Sequence, residues 1–417
     1  MAITDIQSGA GGRPLVPLLR WEQRTALVGM VATAVTFGPA RMAYGMLLPS
    51  LREAFALTGS AAGAIASAAF AAFAVALIAT SLATRIVGAK LPIVLGGVLA
   101  LAGAGTVAVA TSAIWLAIGV VLAAASAGLC WTPFNAVAGR LVRARRRDGV
   151  LSLVSTGTTI GIAVMALGAL ALAWTGASWR IVWVATAASG AVVAGLAFTL
   201  LPPSDRLVPR KPPDVPDLKA GDVARRLVKS EAMPFYALAF VFGAVSAVFS
   251  TFAVDHVASA GAGLGAGDAL MIGGLVFLAF GVVGAIGFAG DAIERRLGMR
   301  GGLAACFLAL GGGTALVALQ PESWTGAMAG AGAAGAGVMV FCVLLAIATM
   351  RLFPALPVMG FTVAVIAMSL GSVAGPAFAG PLADARDAGV ALLGATLASL
   401  GAAALAFLPT VSASARE

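Results

Sequence analysis

Twelve apolar stretches, each long enough to cross a lipid bilayer, fill this chain and leave little else from which to build a fold. A crossing helix needs about 20 mainly apolar residues. The spans read as 25–50, 60–84, 91–111, 113–138, 149–174 and 180–201, then 234–257, 268–290, 301–319, 324–350, 357–381 and 388–409. Hydrophobic residues make up 60% of the 417 and charged residues only 10%, with mean hydropathy +1.02. A soluble domain carries about 25% charged residues. So few charges cannot cover one core of this size, and lipid must be the main solvent. The expected fold is all-α, with twelve transmembrane helices in two six-helix bundles, 25–201 and 234–409. A linker at 202–233 joins them, and tails at 1–24 and 410–417 flank them.

The positions of the 26 basic residues orient this scheme. With the N-terminus in the cytoplasm, 22 of them fall on the cytoplasmic side and only Arg52, Arg180 and Arg386 outside. Arg41 is left within the membrane. That asymmetry obeys the positive-inside rule with both termini cytoplasmic, and an odd number of spans would break it. The expected location is a bacterial inner membrane. The net charge of +9 therefore belongs to membrane-surface loops facing lipid headgroups, and no base-stacking aromatic pattern points to nucleic acid. The N-terminal segment has no signal-peptide core, so the first span is expected to stay.

The linker opens with the proline-rich run PPSDRLVPRKPPDVP, which reads as extended chain. Beyond it, Leu218, Val223 and Leu227 share a loosely apolar face among Lys219, Arg225, Arg226 and Lys229. This part reads equally as a short helix on anionic lipid or as a solvated linker. Cys130, Cys306 and Cys342 lie singly in apolar runs and read as inert core residues, with no disulfide or metal spacing. The phosphate loop, the HExxH zinc motif and the GxSxG elbow are all missing, so neither ATP-driven pumping nor enzymatic activity is expected, and no cofactor.

One charge stands deep in a span. Arg41 lies about 16 residues into its segment, roughly 24 Å along a helix. An intramembrane cation costs about 2.5–3.5 kcal/mol on insertion scales and usually marks a function. Gly38, Tyr44, Gly45 and Leu48 border its face at helical spacing, and the small residues suggest room for a ligand. The guanidinium fork suits a carboxylate. The competing reading is a structural arginine that snorkels outward or bonds carbonyls freed near Pro39.

Other polar residues in spans extend the candidate set. Trp131, Thr132 and Asn135 sit toward the inner end of the fourth span, and Thr362 and Ser369 in the eleventh. Together with Arg41 and Tyr44, residues Trp131, Asn135 and Thr362 are the candidate substrate contacts. Asp255 and His256 lie near the outer end of the seventh span. His256 is the only histidine and titrates near neutrality, so this pair is the candidate for a coupling proton, against the plainer reading of a solvated helix end. Asp255 sits too far outward to pair permanently with Arg41. In span five, Gly157, Gly161 and Gly168 offer small-residue packing faces.

Between spans eight and nine runs GFAGDAIERRLGMR, residues 287–300. Gly287, Asp291, Arg295, Arg296, Gly298 and Arg300 match a loop motif, so this segment resembles the major facilitator superfamily. The equivalent loop in the first half, SLATRIVGAKLP, keeps Arg85, Gly88 and Lys90 but lacks the acidic residue. The first span, with Arg41, Tyr44, Gly45, Leu47, Leu48 and Pro49, resembles a bacterial branch of that superfamily. The resemblance implies two pseudo-symmetric bundles rocking about a central site, with Asp291, Arg295 and Arg296 as a gate at the cytoplasmic ends of spans eight and nine. The drug-antiporter Gly-Pro element is absent from span five. The expected function is transport of a small organic solute, an organic anion if Arg41 contacts it, by a monomer. The alternatives are an exporter of amphipathic compounds and a non-transporting sensor or assembly protein.

Overall fold

The computed structural model describes residues 21–134, 137–138, 142, 144–203, 227, 232–260, 269–354 and 356–407. The N-terminal tail as far as residue 20, the residues after 407, the greater part of the linker with its lipid-helix reading, and Asn135 lie outside these. All regular elements among the described residues are helical.

The first span departs from the single helix expected over 25–50. It is built from α1 (Trp21–Phe37), α2 (Pro39–Met46) and α3 (Leu48–Phe55). Pro39 and Pro49 cause the breaks. Proline cannot donate to the carbonyl four residues back, and it suits the first turn of a new helix. The segments remain stacked through Gly38 N–H to Ala34 O (3.1 Å), Met42 N–H to Gly38 O (2.8 Å) and Leu47 N–H to Ala43 O (2.9 Å).

The other helices follow as α4 (Gly59–Val87), α5 (Lys90–Ala108), α6 (Ala113–Trp131), α7 (Ala144–Trp174) and α8 (Arg180–Leu200). After the linker come α9 (Met233–Ala260), α10 (Ala269–Gly284), α11 (Gly290–Leu319), α12 (Trp324–Leu352), α13 (Pro357–Ala385) and α14 (Ala388–Leu405). The end at which α1 begins is called proximal below, and the opposite end distal. Helices α4, α6, α12 and α14 all start at the distal end behind a side-chain cap, from Thr58, Ser112, Ser323 and Asp387 respectively. Each cap accepts from one of the N–H groups that a helix start leaves unpaired.

Among the described residues, eleven apolar helical segments are long enough to cross a membrane, and one of them, Ala269–Leu319, runs for 51 residues. At 1.5 Å per residue that is about 75 Å, more than twice the hydrocarbon core, so it must fold back as two spans. It does so through a 3-10 turn at Ala285–Ala289 and a break at Gly298, whose φ of 70° falls in the region glycine tolerates best. The count is therefore twelve.

In the first bundle α5 packs on α6 and α8, α4 on α6, and α1 on α7. In the second, α9 packs on α13, α11 on α12 and α14, and α10 on α12. The two bundles meet along α4–α13, α7–α10 and α9 against α2 and α3. Their apolar cores show where. One continuous core runs from Phe37, Leu48, Leu51 and Trp183 of the first bundle into the second. A separate core, with Val28, Ile93, Phe134, Val154 and Leu201, stays inside the proximal part of the first bundle. The bundles are thus joined distally and part proximally. Large apolar side chains such as Leu82, Ile86, Val164 and Phe198 point outward, as a lipid-facing surface requires.

Glycine sets the closest approaches. A Cβ on Gly161 would collide with the Ala34 carbonyl of α1, and one on Gly45 with the Ser250 carbonyl of α9. Gly38 in turn packs against the Gly161 backbone. The Cβ positions of Gly38 and Gly45 are therefore taken by neighbouring backbone, so both glycines serve close helix packing, although Gly45 also lines the cavity beside Arg41. Gly168, expected on a packing face, has no atom within 4 Å of a built Cβ and faces open space. Gly161→Val should destabilise the protein by about 1–3 kcal/mol through overpacking. Gly168→Val should leave the melting temperature in detergent unchanged, and a similar loss in both variants would contradict this assignment.

Candidate functional site

Helix α2 is short because Pro39 opens it and Leu47 closes it, and this places Arg41 one turn above a kink. Its guanidinium is held by rings. Phe73 lies 4.5 Å from it, Phe70 5.3 Å and Phe37 5.6 Å, centroid to carbon. Phe37 is one turn earlier on α1, and Phe70 and Phe73 share a face of α4. Ring faces attract a cation by about 0.5–2 kcal/mol each, depending on desolvation. No carboxylate and no carbonyl among the described residues bonds to Arg41, and its Nε is buried without a hydrogen-bond partner.

Arg41 opens onto a small, partly open cavity. Met42, Ala66, Ala69, Phe70, Val120 and Ala124 give it an apolar wall, and Ser250 and Thr251 of α9 bring the second bundle to it. Tyr44 lines the cavity by its ring, but its hydroxyl donates to the Ala62 carbonyl at 2.9 Å and is committed there. Cys342 stands midway along α12, exposed and within electrostatic reach of Arg41. It was expected as an inert core residue. Cys130 and Cys306 are buried as expected, whereas Cys342 faces the space between the bundles. The cavity thus lies where the two halves meet, with one uncommitted cation in an apolar surround.

The other candidates are spread more widely. Trp131 packs on Phe37 at 5.2 Å and stands one ring away from the guanidinium. Thr362 is half-buried on α13 and does not line the cavity. Asn135 lies outside the described residues. Asp255 pairs with Arg52, Nη1 to Oδ2 at 2.5 Å, and not with Arg41. Its neighbour His256 turns the other way, with Nε2 donating to the Ala318 carbonyl at 3.1 Å.

The loop motif at 287–300 is arranged differently from the simple gate that the resemblance implies. Asp291 bonds to Arg295 one turn along its own helix, and both are well exposed. The link to another span comes from Glu294, which is 9% exposed and accepts from Arg351 Nη1 of α12 at 2.7 Å. Reading the sequence passed over Glu294, although its position three residues after Asp291 put it on the same helix end. It also passed over Phe37, Phe70, Phe73, Ser250 and Thr251. Of these, only the Phe37–Arg41 spacing of four residues carried a local signal.

The comparisons agree with this architecture. The family model described as Major Facilitator Superfamily matches residues 29–376. The chain belongs to the major facilitator superfamily. Solved structures of similar fold include the nucleoside transporter NupG, at 12% identity and TM-score 0.73, covering 96% of this chain and all of that one. A bacterial homologue of the human lysosomal transporter Spinster has 16% identity and TM-score 0.69, covering 97% and 96%. The peptide transporter POT in complex with sulfate has 15% identity and TM-score 0.71, covering 92% and 93%. No curated protein matches the chain in sequence. At these identities the likeness to solved structures is one of fold. As a facilitator the chain is a multi-pass membrane transporter of small molecules.

The two acidic residues of the facilitator loop should differ in weight. An exposed i,i+4 pair contributes about 0.3–0.5 kcal/mol, whereas removing a nearly buried partner strands its mate. Glu294→Ala should therefore lower the melting temperature measurably more than Asp291→Ala. Equal shifts would remove Glu294 from its role as the link between α11 and α12.

Proposed function

We propose that the protein is a secondary transporter that carries a small organic anion by alternating access, with Arg41 meeting the anionic end. The observation that supports this most is an unpaired guanidinium at a cavity shared by the two bundles. The phenylalanine rings hold the cation in place but accept none of its hydrogen bonds. Its terminal nitrogens are left for a ligand, and an Arg fork binds a carboxylate through two parallel N–H bonds. The apolar wall suits a substrate body with few polar groups, and Ser250 and Thr251 supply the polar contacts on the facing side.

The same wall favours a second reading, an exporter of amphipathic compounds. The two separate in a thermal-shift screen of purified protein. Organic acids should stabilise it and lipophilic cations should not, and the reverse result selects the exporter. Flux into proteoliposomes separates both from a non-transporting sensor. In the proposed orientation the proximal face is cytoplasmic, following the 22-to-3 split of basic residues. A cysteine placed at Ser204 or Ser412 should label only from the cytoplasm, and labelling of Ser412 from outside would overturn the orientation.

Arg41→Lys keeps the charge and loses the fork, so transport should weaken. Arg41→Ala should weaken it further, by about 10- to 150-fold in apparent affinity, as expected for one charge-assisted contact of roughly 1.5–3 kcal/mol. Normal transport by Arg41→Ala, or a confirmed cationic substrate, returns Arg41 to a structural role.

A further inference from the structure

Of the three cysteines, Cys130 and Cys306 are buried and Cys342 is exposed. The reason lies in the rotation of α12. Phe341, Leu344, Leu345 and Ala348 form its core stripe and are almost fully enclosed. Phe341 stacks on Phe242 with ring centroids 3.8 Å apart, which fixes that rotation. The next residue of an α-helix lies about 100° further round, so Cys342 turns off the stripe. Val338 and Ala346, one turn to either side of it, are only partly buried. This face looks into the space between the bundles, where Cys342 lies within electrostatic reach of Arg41.

A cysteine in an apolar surround needs no special role. The charge facing this one is the second observation. Arg41 is mostly buried, lines the cavity, and has neither a hydrogen-bond nor an ion-pair partner among the described residues. Asp255 is committed to Arg52 and Glu294 to Arg351, and no acidic residue lines the cavity. Apolar walls concentrate the field of such a charge and raise the local concentration of small molecules of opposite sign by about 10- to 1000-fold. A free thiol on the second bundle and an uncompensated cation on the first therefore share one cleft.

We propose that Cys342 is a covalent capture site for small, negatively charged, thiol-directed electrophiles, which Arg41 draws into the cleft. With an alkyl methanethiosulfonate the step is a substitution at sulfur. The Cys342 sulfur forms an S–S bond to the sulfenyl sulfur of the reagent, and the bond from that sulfur to the sulfonyl group breaks. Methanesulfinate leaves with the electron pair, and the thiol proton passes to water. The reagent is itself the oxidant, so no other reactant is needed. The inference rests on the uncompensated cation that also supports the anion reading, and it does not rest on transport.

The test uses purified protein in detergent, where no membrane limits access to either end of the cleft. Two reagents with the same reactive group are compared, 2-sulfonatoethyl and 2-trimethylammonioethyl methanethiosulfonate. The rate of mass gain on the intact chain is divided by the rate of the same reagent with 2-mercaptoethanol in the same buffer. That division removes the intrinsic difference between the reagents, and the ionisation of Cys342 is common to both. The parent should prefer the sulfonate by about tenfold or more. Arg41→Gln should bring the ratio close to one, and Arg41→Lys should preserve it, because the field depends on the charge and not on the fork. Cys342→Ala should gain no mass. A ratio near one in the parent, which requires no variant to fold, overturns the proposal. So does a ratio that Arg41→Gln leaves unchanged, or reaction that persists in Cys342→Ala. If the parent prefers the sulfonate but organic acids are neither bound nor carried, the capture site stands and the anion reading of transport falls. If the ratio is flat while Arg41→Ala lowers uptake of an organic acid, the capture site falls and that reading stands.

Discussion

The structure depends on how closely backbone can meet backbone at the distal seam. In lipid, two helices gain nothing from burying apolar side chains against each other, because lipid tails are equally apolar, so association rests on close packing and on bonds between helices. Gly45 against Ser250, Gly63 against Pro376 and Gly380 against Gly59 supply the contact. Arg52–Asp255 and Asp384 with the α4 start supply the bonds. The rest of the arrangement follows from this seam. With the distal ends joined, the proximal core of the first bundle stands apart, and the cavity at Arg41 is a cleft lined by residues of both bundles.

Within that cleft Arg41 has an unusual balance of energies. Taking a guanidinium out of water costs several kcal/mol, and an acidic partner is the usual compensation. Here three phenylalanine rings take that place. Rings stabilise charge without accepting hydrogen bonds, so the cation is retained while its donors stay available. A carboxylate in the same position would neutralise the site. The acidic groups of this region are instead engaged at the rim, where Asp255 and Asp384 bond the opposite bundle.

The sequence carried the span count, the two halves and the isolated charge, because each depends on local hydropathy or on a single exceptional residue. It did not carry the partners. Phe70 and Phe73 sit about 30 residues from Arg41, and Asp255 lies 203 residues from Arg52, at separations where no periodicity links them. Asp384 carried no signal of its own, since nothing in its neighbourhood names the helix start it serves. Cys342 read as core because apolar neighbours on both sides are the same whether a helix face meets protein or a cleft. The prolines at 39 and 49 were visible, yet their effect was understated, since stacked short helices keep the hydropathy of one long span.

Helix α9 connects the two sites that the structure separates in sequence. Ser250 and Thr251 line the cavity, and Asp255 bonds Arg52 about 7 Å further along the same helix. On the facing side Arg41 and Arg52 belong to the consecutive short helices α2 and α3. A ligand held between Arg41 and Ser250 would therefore bridge the same two spans that Arg52 and Asp255 join. Occupation of the cavity and closure of the rim would then draw on one rigid pair of elements. A ligand can move such an equilibrium only by its difference in affinity for the two arrangements, and a bridging ligand is one whose contacts exist only while both spans are near. His256 adds a third attachment, since its bond to the Ala318 carbonyl ties the distal end of α9 to α11 within its own bundle.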